Sequence, residues 1–431
     1  MNSAISAWLR RAGTVLSAAL LATTLRTAAD PARAHAVTTG PVFNNPAGTV
    51  AEQQAIRSQF LSLAEGAQSG SYLKLAVYHF WDTGLAQAFV DAHNRGVNVQ
   101  MVLDSSETTS SHDDGATYPM LRDALGTDTS AKSFISLCGT DHACNSTVVP
   151  SINHNKFLIY DYDGSGGYST VIQSSSNFSP SSYSKFWNDA MVVDNDRGVY
   201  LAYTQYFGKL AAQDPASWEY LTPTTYSPYA YYFFPRPADD PRPGDTVTGI
   251  LDNVICTYTE SGATKHSTVR VGMYKFTRQA VADKLVQMKK DGCAVDIVYT
   301  ETDSADSTGS AGTWETLHAT GGPTLRCFSW DDDGDEATAG SAATPRQIIH
   351  SKFLLIEGKY ADKTGRKVMW TGSHNFTGPA LTKNDEALLK VDDAAVYDAY
   401  VSRFTAVRSA AKPGTADNTP ECKGVTTTPE T

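Results

Sequence analysis

One pattern, His-x-Lys-x4-acid, occurs twice in this chain and constrains its fold more than any other feature. The first copy spans 154–161 (His-Asn-Lys-Phe-Leu-Ile-Tyr-Asp) and the second spans 350–357 (His-Ser-Lys-Phe-Leu-Leu-Ile-Glu). Each copy is followed by a small polar turn that ends in an Asn-Phe pair, with Asn177 in the first turn and Asn375 in the second. Such a pattern does not recur with its turn by chance, so we infer that both copies carry chemistry.

The similarity between the two halves extends far beyond these motifs. At one offset, Tyr78 corresponds to Tyr274 and His154 corresponds to His350, and the match continues with a drift of one or two residues to the end of each half. A near-constant offset over this length predicts an internal duplication. Two homologous lobes usually pair about a pseudo-twofold axis, which brings the two His motifs together.

Each motif is predicted to lie on a β-strand, Lys156–Tyr160 in the first copy and Lys352–Ile356 in the second, because apolar residues dominate both runs. Side chains alternate between the two faces of a strand, so each His shares a face with its Lys. The acid stands at an odd spacing from the His and points to the other face, which predicts a structural role. A neutral imidazole beside an ammonium group is suited to attack an anionic phosphate.

The N-terminal half begins with a predicted β-α-β unit. Thr49 and Glu52 form a capping box before an amphipathic helix, and the strand Leu73–Phe80 follows. A second helix ends near Gly96, and the strand Val97–Leu103 comes next. This order predicts an α/β fold.

Residues 1–36 have the features of a secretory signal peptide, with a basic start, an apolar core and a cleavage site near Ala36. Export can follow the general or the twin-arginine route. Residues 1–36 hold four Arg and one Asp, so the formal net charge of −11 becomes −14 once they are removed. This acidic balance argues against unselective nucleic-acid binding. We therefore expect a secreted, soluble, monomeric protein. The predicted segments are a signal peptide (1–36), an N-terminal lobe (41–212), a connector (213–244), a C-terminal lobe (245–412) and a flexible tail (413–431).

Six cysteines in an exported chain favour disulfides. Cys138 and Cys144 close a short loop and are predicted to pair. The remaining four, Cys256, Cys293, Cys327 and Cys422, allow three pairings between which the sequence does not choose.

The connector 213–244 is rich in Pro and aromatic residues, and two interpretations remain open for it. It is either a strap packed over the lobe interface or an aromatic surface that touches lipid. Two long segments, 104–150 and 300–347, precede the His motifs and are expected to form rims or lids. The acidic run 331–336 is interpreted as a solvated loop, with Ca²⁺ binding as the alternative.

These residues resemble the phospholipase D superfamily, in particular its secreted bacterial members, and the resemblance covers about residues 41–410. It implies two duplicated α/β/α lobes with mixed sheets and one active site at the lobe interface. It also implies phosphodiester cleavage through a covalent phosphohistidine, with no cofactor and no metal. By this resemblance His154 is the nucleophile, and His350 is the acid that protonates the leaving oxygen.

The resemblance assigns roles to further residues. Those expected to hold the phosphate oxygens are Lys156, Lys352, Asn177 and Asn375. Asp189 and Glu386 match the acidic positions that orient the two imidazoles. Ser175, Ser373 and His374 lie in the polar turns and are expected to contact substrate, although His374 could instead fill its turn. The chain departs from the family pattern at Glu357, which replaces Asp, and at Ser174, where Gly is frequent.

Three functions are compatible with the sequence. The favoured one is a phospholipase D that releases phosphatidic acid and a head-group alcohol, possesses transphosphatidylation activity and contacts membrane surfaces transiently. The second is a nuclease with the same site, which a basic rim would favour, whereas the segment 300–347 is acidic. The third is a catalytically silent binding protein, against which both intact motifs argue. No stable nucleic-acid partner is expected.

Overall fold

The computed structural model describes residues 37–108, 115–162, 168–220, 228–237, 240, 244–303, 312–328 and 347–413. The predicted signal peptide and the acidic run 331–336 lie outside the described residues, as does all of the predicted tail after residue 413. Among the described helices, none combines the length and the apolar character needed to cross a bilayer.

The N-terminal lobe is a mixed sheet with helices on both faces. Its strands are β1 (Gly40–Phe43), β2 (Tyr72–Val77), β3 (Asn98–Leu103), β4 (Phe134–Leu137), β5 (Lys156–Asp161), β6 (Ser169–Ser174), β7 (Phe186–Trp187) and β8 (Asp189–Asp194). Its helices are α1 (Val50–Gln53), α2 (Ala55–Gly66), α3 (Thr83–Asn94), α4 (Thr117–Leu125), α5 (Pro180–Ser184) and α6 (Arg197–Ala212). The sheet order is β1-β8-β6-β5-β2-β3-β4, with β2, β3 and β4 parallel and the other pairs antiparallel.

The C-terminal lobe repeats this order. Its strands are β9 (Tyr229–Phe234), β10 (Val254–Ile255), β11 (Thr257–Glu260), β12 (Ala263–His266), β13 (Thr268–Phe276), β14 (Ala294–Thr302), β15 (Thr324–Cys327), β16 (Ile348–Ile349), β17 (Lys352–Tyr360), β18 (Lys363–Gly372), β19 (Glu386–Val391) and β20 (Lys412–Pro413). Its helices are α7 (Thr246–Leu251), α8 (Gln279–Lys290), α9 (Thr313–Leu317), α10 (Gly378–Thr382) and α11 (Ala394–Ala410). The main sheet runs β20-β15-β14-β13-β17-β18-β19-β9, and β16 pairs with β7 of the other lobe.

The two lobes share one central core. Helices α6 and α11 bury their apolar faces in a single cluster with the facing sides of both sheets. Tyr203 of α6 and Tyr400 of α11, which the repeat predicts to be equivalent, are both fully buried there. Two further clusters lie on the outer faces, under α2 and α3 in one lobe and under α8 in the other. The predicted pair of α/β/α lobes with mixed sheets is therefore confirmed.

The connector supplies a strand of the second sheet. Strand β9 pairs with β19 along its whole length, and Phe233 and Phe234 are fully buried. Trp218 is also buried and donates its indole N–H to the carbonyl of Pro235 at 2.7 Å. Because these aromatic side chains pack inward, the described part of the connector matches the packed-strap interpretation rather than an aromatic surface for lipid.

Two local predictions are met with small changes. Thr49 and Glu52 form the capping box, but the predicted single helix is divided into α1 and α2 at Gln54. Cys138 and Cys144 are disulfide-bonded as predicted, and Cys256 pairs with Cys293. Cys327 is also disulfide-bonded.

Candidate active site

Both motif histidines lie where the two lobes meet. Each one stands two positions before the first residue of its motif strand, at the edge where the parallel strands of its sheet end. The backbone N–H of His154 donates to the carbonyl of Asp385 at 2.9 Å, and that of His350 donates to the carbonyl of Trp187 at 3.0 Å. Because each partner belongs to the opposite lobe, the backbone of each lobe positions the histidine of the other.

A carboxylate supports the first histidine. Nδ1 of His154 lies 2.9 Å from both side-chain oxygens of Glu386, and both side chains are buried. A carboxylate on Nδ1 fixes the ring tautomer and stabilises positive charge on the imidazole. Glu386 therefore has the geometry of the orienting acid that the resemblance predicts.

An amide supports the second histidine. Nδ1 of His350 lies 2.9 Å from Oδ1 of Asn188. The expectation placed Asp189 in this role, but its Oδ2 accepts hydrogen bonds from Thr371 and, at 2.7 Å, from the hydroxyl of Tyr400. Asn188 lies in the break between β7 and β8, and Asp189 is the first residue of β8. The structure places Asn188, and not Asp189, at Nδ1 of His350.

Asn188 is itself held by several partners. Its Oδ1 also accepts from the hydroxyl of Ser175 at 2.9 Å, and its Nδ2 donates to the carbonyl of Ser182 at 3.0 Å. Arg403, on α11, donates to the carbonyl of Asn188 at 2.7 Å and to that of Asn44 at 2.6 Å. Burial lowers the pKa of Arg403 to about 10, against the opposing effect of nearby Asp189. This buried network limits how far the Asn188 amide can rotate.

The two motif lysines lie against their histidines. Lys352 Nζ is 3.2 Å from Nε2 of His350 and donates to the carbonyl of the same residue at 2.7 Å, while Lys156 Nζ donates to the carbonyl of His154 at 2.9 Å. Tyr78 and Tyr274 each place a ring 5.2 Å from the lysine Nζ of their own lobe. We assigned no function to these tyrosines from the sequence, although their match at the same offset as the histidines was a signal that could have identified them.

The asparagines of the polar turns are buried at the same edge. Both side-chain polar atoms of Asn177 lack a hydrogen-bond partner among the described residues, while Oδ1 of Asn375 accepts from the backbone N–H of Lys275 at 3.3 Å. A buried amide without partners is costly, so the Asn177 side chain is suited to bind a ligand oxygen.

The other predicted turn residues serve the scaffold in this structure. Ser175 bonds Asn188, and the hydroxyl of Ser373 accepts from the backbone N–H of Ala387 at 3.1 Å. His374 is fully buried, stacks on Phe234 at 4.1 Å between ring centroids and has Nε2 at 3.3 Å from Nη1 of Arg278. Burial, with smaller effects of Arg278 and His154, lowers the pKa of His374 well below its ordinary value.

The two polar turns differ where the chain departs from the family pattern. A Cβ at Gly372 would lie 2.0 Å from the carbonyl oxygen of Ala387, so a side chain there requires backbone movement. In the other lobe Ser174 fits, and its hydroxyl donates to the carbonyl of Asp189 at 3.1 Å and accepts from the N–H of Ser176 at 2.9 Å. The replacement of Gly by Ser thus adds bonds within the first turn.

The acids that end the two motifs face away from the histidines, as the strand alternation predicts. Asp161 accepts a hydrogen bond from the hydroxyl of Tyr200. Glu357 accepts from the hydroxyl of Tyr397 at 3.3 Å. Both acids therefore tie a motif strand to a helix of its own lobe.

Two contacts between a basic and an acidic side chain lie beside the motif residues, one in each lobe. Nδ1 of His79 is 3.2 Å from Glu107, and Nζ of Lys275 is 3.5 Å from Glu301. The hydroxyl of Tyr274 also donates to Glu301 at 3.1 Å. No sequence pattern identifies these residues, because the pairing acids lie outside any motif.

Within the described residues, one group could be considered for a metal ion, namely Cys138, Cys144 and Asp385. Its two sulfur atoms are joined in a disulfide and offer no thiolate. The Asp385 carboxylate instead accepts from the backbone N–H groups of Cys144 and Asn145, at 2.5 and 3.1 Å. This group is a structural link between the lobes.

Comparison with known proteins agrees with this architecture. The family described as "Cardiolipin synthase, PLD-like domain" matches residues 62–211 and 262–408, one match in each lobe. No curated protein sequence matches the chain significantly.

Two solved structures are similar in fold. Phosphatidylserine synthase from Haemophilus influenzae Rd KW20 aligns with a TM-score of 0.54 and 12% identity, covering 87% of this chain and 89% of that one. Polyphosphate kinase from Porphyromonas gingivalis aligns with a TM-score of 0.53 and 10% identity, covering 86% of this chain and 50% of that one. The chain thus spans about half the length of the kinase. Because the family match covers more than half of the chain, with a His-Lys motif in each matched half, this protein belongs to the phospholipase D superfamily.

Proposed function

We propose that this protein is an exported phospholipase D that hydrolyses glycerophospholipids to phosphatidic acid and a free head-group alcohol. The observation that carries the proposal is the unequal support of the two histidines, a carboxylate on His154 and an amide on His350. Membership of the superfamily supports a phosphodiester substrate. The glycerophospholipid substrate and the export of the protein are proposed in addition.

In the first step, Nε2 of His154 attacks phosphorus and the bond from phosphorus to the head-group oxygen breaks. His350 donates a proton to that oxygen, so a neutral alcohol leaves. The phosphorylated imidazole carries a positive charge, which the Glu386 carboxylate stabilises through Nδ1–H. Lys156, Lys352 and Asn177 bind the phosphate oxygens whose charge increases in the transition state.

In the second step, water attacks phosphorus on the opposite side to the nitrogen. His350, now neutral, accepts the proton of the water, and the phosphorus–nitrogen bond breaks to release phosphatidic acid. An alcohol can replace water in this step, which would transfer the phosphatidyl group. The names of the matched family and of the Haemophilus protein both refer to phospholipid synthesis, which supports a lipid substrate and such a transfer.

The unequal support favours His154 as the nucleophile. A carboxylate stabilises a cationic imidazole far better than an amide does, because it adds an opposite charge at hydrogen-bond distance. His154 keeps its positive charge for the lifetime of the intermediate, whereas His350 must release a proton within the same turnover. The amide of Asn188 suits this release, since it orients the ring without holding the proton.

The test compares phosphatidylcholine, phosphatidylethanolamine and single-stranded DNA as substrates of the purified protein. We expect phosphatidic acid from the lipids and no cleavage of DNA. Cleavage of DNA alone would favour the nuclease, and no turnover of any substrate would favour the binding protein. Export is supported by the predicted signal peptide and by the disulfides, and mass spectrometry of the secreted protein should give an N-terminus near residue 37.

A mass-spectrometric experiment tests the covalent step. His350→Ala should still form a phosphohistidine with a substrate whose leaving group needs no proton, whereas His154→Ala should form none. An adduct on His350 in the wild type would reverse the two roles.

A further inference from the structure

A cavity lies outside the candidate active site, where three segments of the chain meet. It has a volume of about 570 Å³. Its lining consists of residues 145–148, which follow the Cys138–Cys144 disulfide, of Pro215, Ala216, Trp218, Pro235 and Pro237 from the connector, and of Thr382 and Lys383 at the end of α10. This volume is within the range of small-molecule sites. None of the catalytic residues proposed above lines it.

The cavity contains one cationic group and one buried amide. Lys383 lines it, and no ion pair involves its ammonium group within the described part of the chain. Asn145 is 2% exposed, and its side-chain amide lies near the Asp385 carboxyl group but makes no hydrogen bond of normal geometry in the described part of the chain. A buried amide in this state is costly unless a ligand binds it. The hydroxyl groups of Ser146 and Thr147 lie on the same wall.

Asp385, the carboxyl group beside this amide, repels a bound anion only weakly. Burial raises the pKa of Asp385 well above its ordinary value, although the N–H groups of Cys144 and Asn145 and the Asn145 side chain act in the opposite direction. The raised pKa favours the neutral form of Asp385. The electrostatic balance of the cavity therefore depends mainly on Lys383.

The opposite wall is apolar. Trp218 and the prolines at 215, 235 and 237 form it, and Val148 lies at the rim with 40% of its surface exposed. The neighbouring Val149 is 54% exposed. A cation and an amide on one side, with an aromatic and aliphatic wall on the other, match a ligand that has an anionic head and an apolar body.

We propose that this cavity binds the phosphate group of an anionic phospholipid, with Lys383 and Asn145 on the phosphate and with Trp218 and Val148 against the glycerol and acyl groups. A free phosphate shares the head-group chemistry but cannot use the apolar wall. The proposal does not depend on the proposed reaction, since a protein with another substrate would bind the same ligand here.

The experiment is calorimetric titration with dihexanoyl phosphatidic acid and, separately, with inorganic phosphate. Wild-type protein should bind two molecules of the lipid, one in the active site and one in the cavity. Lys352→Ala should remove the active-site event alone. Lys383→Ala should weaken the other event about tenfold, which corresponds to about 1.4 kcal/mol. Ala216→Trp, at an exposed position of the lining, should fill the cavity and abolish that event.

Lys290→Ala, at an exposed position on α8, is the matched control and should leave both binding events unchanged. Lipid binding that Lys383→Ala and Ala216→Trp both leave unchanged, whether in one event or in two, would overturn the proposal. Binding of inorganic phosphate as tight as that of the lipid would overturn the lipid assignment. If the protein bound the lipid in a Lys383-dependent manner but had no phospholipase activity, the proposed function would be refuted. The lipid site in the cavity would still be supported.

Discussion

The imidazole of His154 lies 2.9 Å from both carboxylate oxygens of Glu386, although the two residues are 232 positions apart and belong to different lobes. Neither lobe alone therefore contains both members of the His154–Glu386 pair. The reactivity of the first motif depends on the docking of the second lobe.

Removing the charge of Glu386 tests this dependence. Glu386→Gln should lower kcat about a hundredfold or more, because the phosphorylated imidazole loses its counter-charge. The measurement is steady-state turnover of a soluble phosphodiester. Glu357→Gln is the matched control, since that acid bonds Tyr397 and should leave kcat within about twofold. Equal losses in both variants would contradict the orienting role of Glu386.

Replacing the amide at His350 by a carboxylate should move the pH profile. In Asn188→Asp, the new charge favours the imidazolium form of His350, so the basic limb of kcat/KM should shift upward by about one pH unit. Asn188→Ala should lower the rate without this upward shift. A shift of the acidic limb instead would mean that His350 acts as the base in the first step.

His374 should make stability sensitive to acid. Burial lowers its folded-state pKa well below the ordinary value of 6.5, so the unfolded chain takes up a proton that the folded chain does not. The stability this group contributes above pH 6.5 is lost as the pH falls toward the folded pKa, at up to about 1.4 kcal/mol per unit. His374→Gln should flatten this acid slope in thermal unfolding between about pH 5 and 6.5. The same change at exposed His266 is the control, and equal slopes in both variants would contradict the assignment.

Opening the first disulfide should affect catalysis as well as stability. Cys138→Ala with Cys144→Ala frees the loop whose N–H groups bind Asp385, so we expect a loss of about 2 kcal/mol in unfolding free energy and about tenfold in kcat. The control is the Cys256–Cys293 pair, which closes a longer loop at the edge away from the histidines. Its removal should cost about 4 kcal/mol and leave kcat of the folded protein unchanged. If removal of either disulfide changed kcat equally, the Cys138–Cys144 disulfide would have no special role in supporting the active site.

Turnover should not require a divalent metal. Two imidazoles, two ammonium groups and two amides already provide the nucleophile, the acid and the binding of phosphate oxygens. Activity should persist in excess EDTA. Loss that only Ca²⁺ restores would assign a binding role to the acidic run 331–336.

The motif strands and the paired lobes could be predicted because they follow from short-range patterns that the duplication presents twice. The alternation in 154–161 and 350–357 correctly places His and Lys at one edge and the acid on the other face. The support of His350 could not be predicted in this way. Asp189 and Glu386 are equivalent in the repeat and both reach across the interface, yet the Asp bonds Tyr400 of α11 whereas the longer Glu bonds a motif histidine.

The strand in the connector could not be predicted from the sequence either. Residues 229–234 (Tyr-Ala-Tyr-Tyr-Phe-Phe) carry aromatic side chains on both faces, so the period of two that reveals a half-buried strand is absent. The pairing with β19 is a long-range contact, and composition alone does not distinguish it from an exposed aromatic surface.

Strand β9 occupies the same place beside β19 that β1 occupies beside β8. The repeated unit therefore begins with its own edge strand and ends with its long closing helix. Such a segment encodes a complete sheet and half of the catalytic machinery, so a homodimer of it would have built both halves of the site by symmetry. Within one chain the two copies are free to differ, and here a glutamate serves one histidine and an asparagine the other.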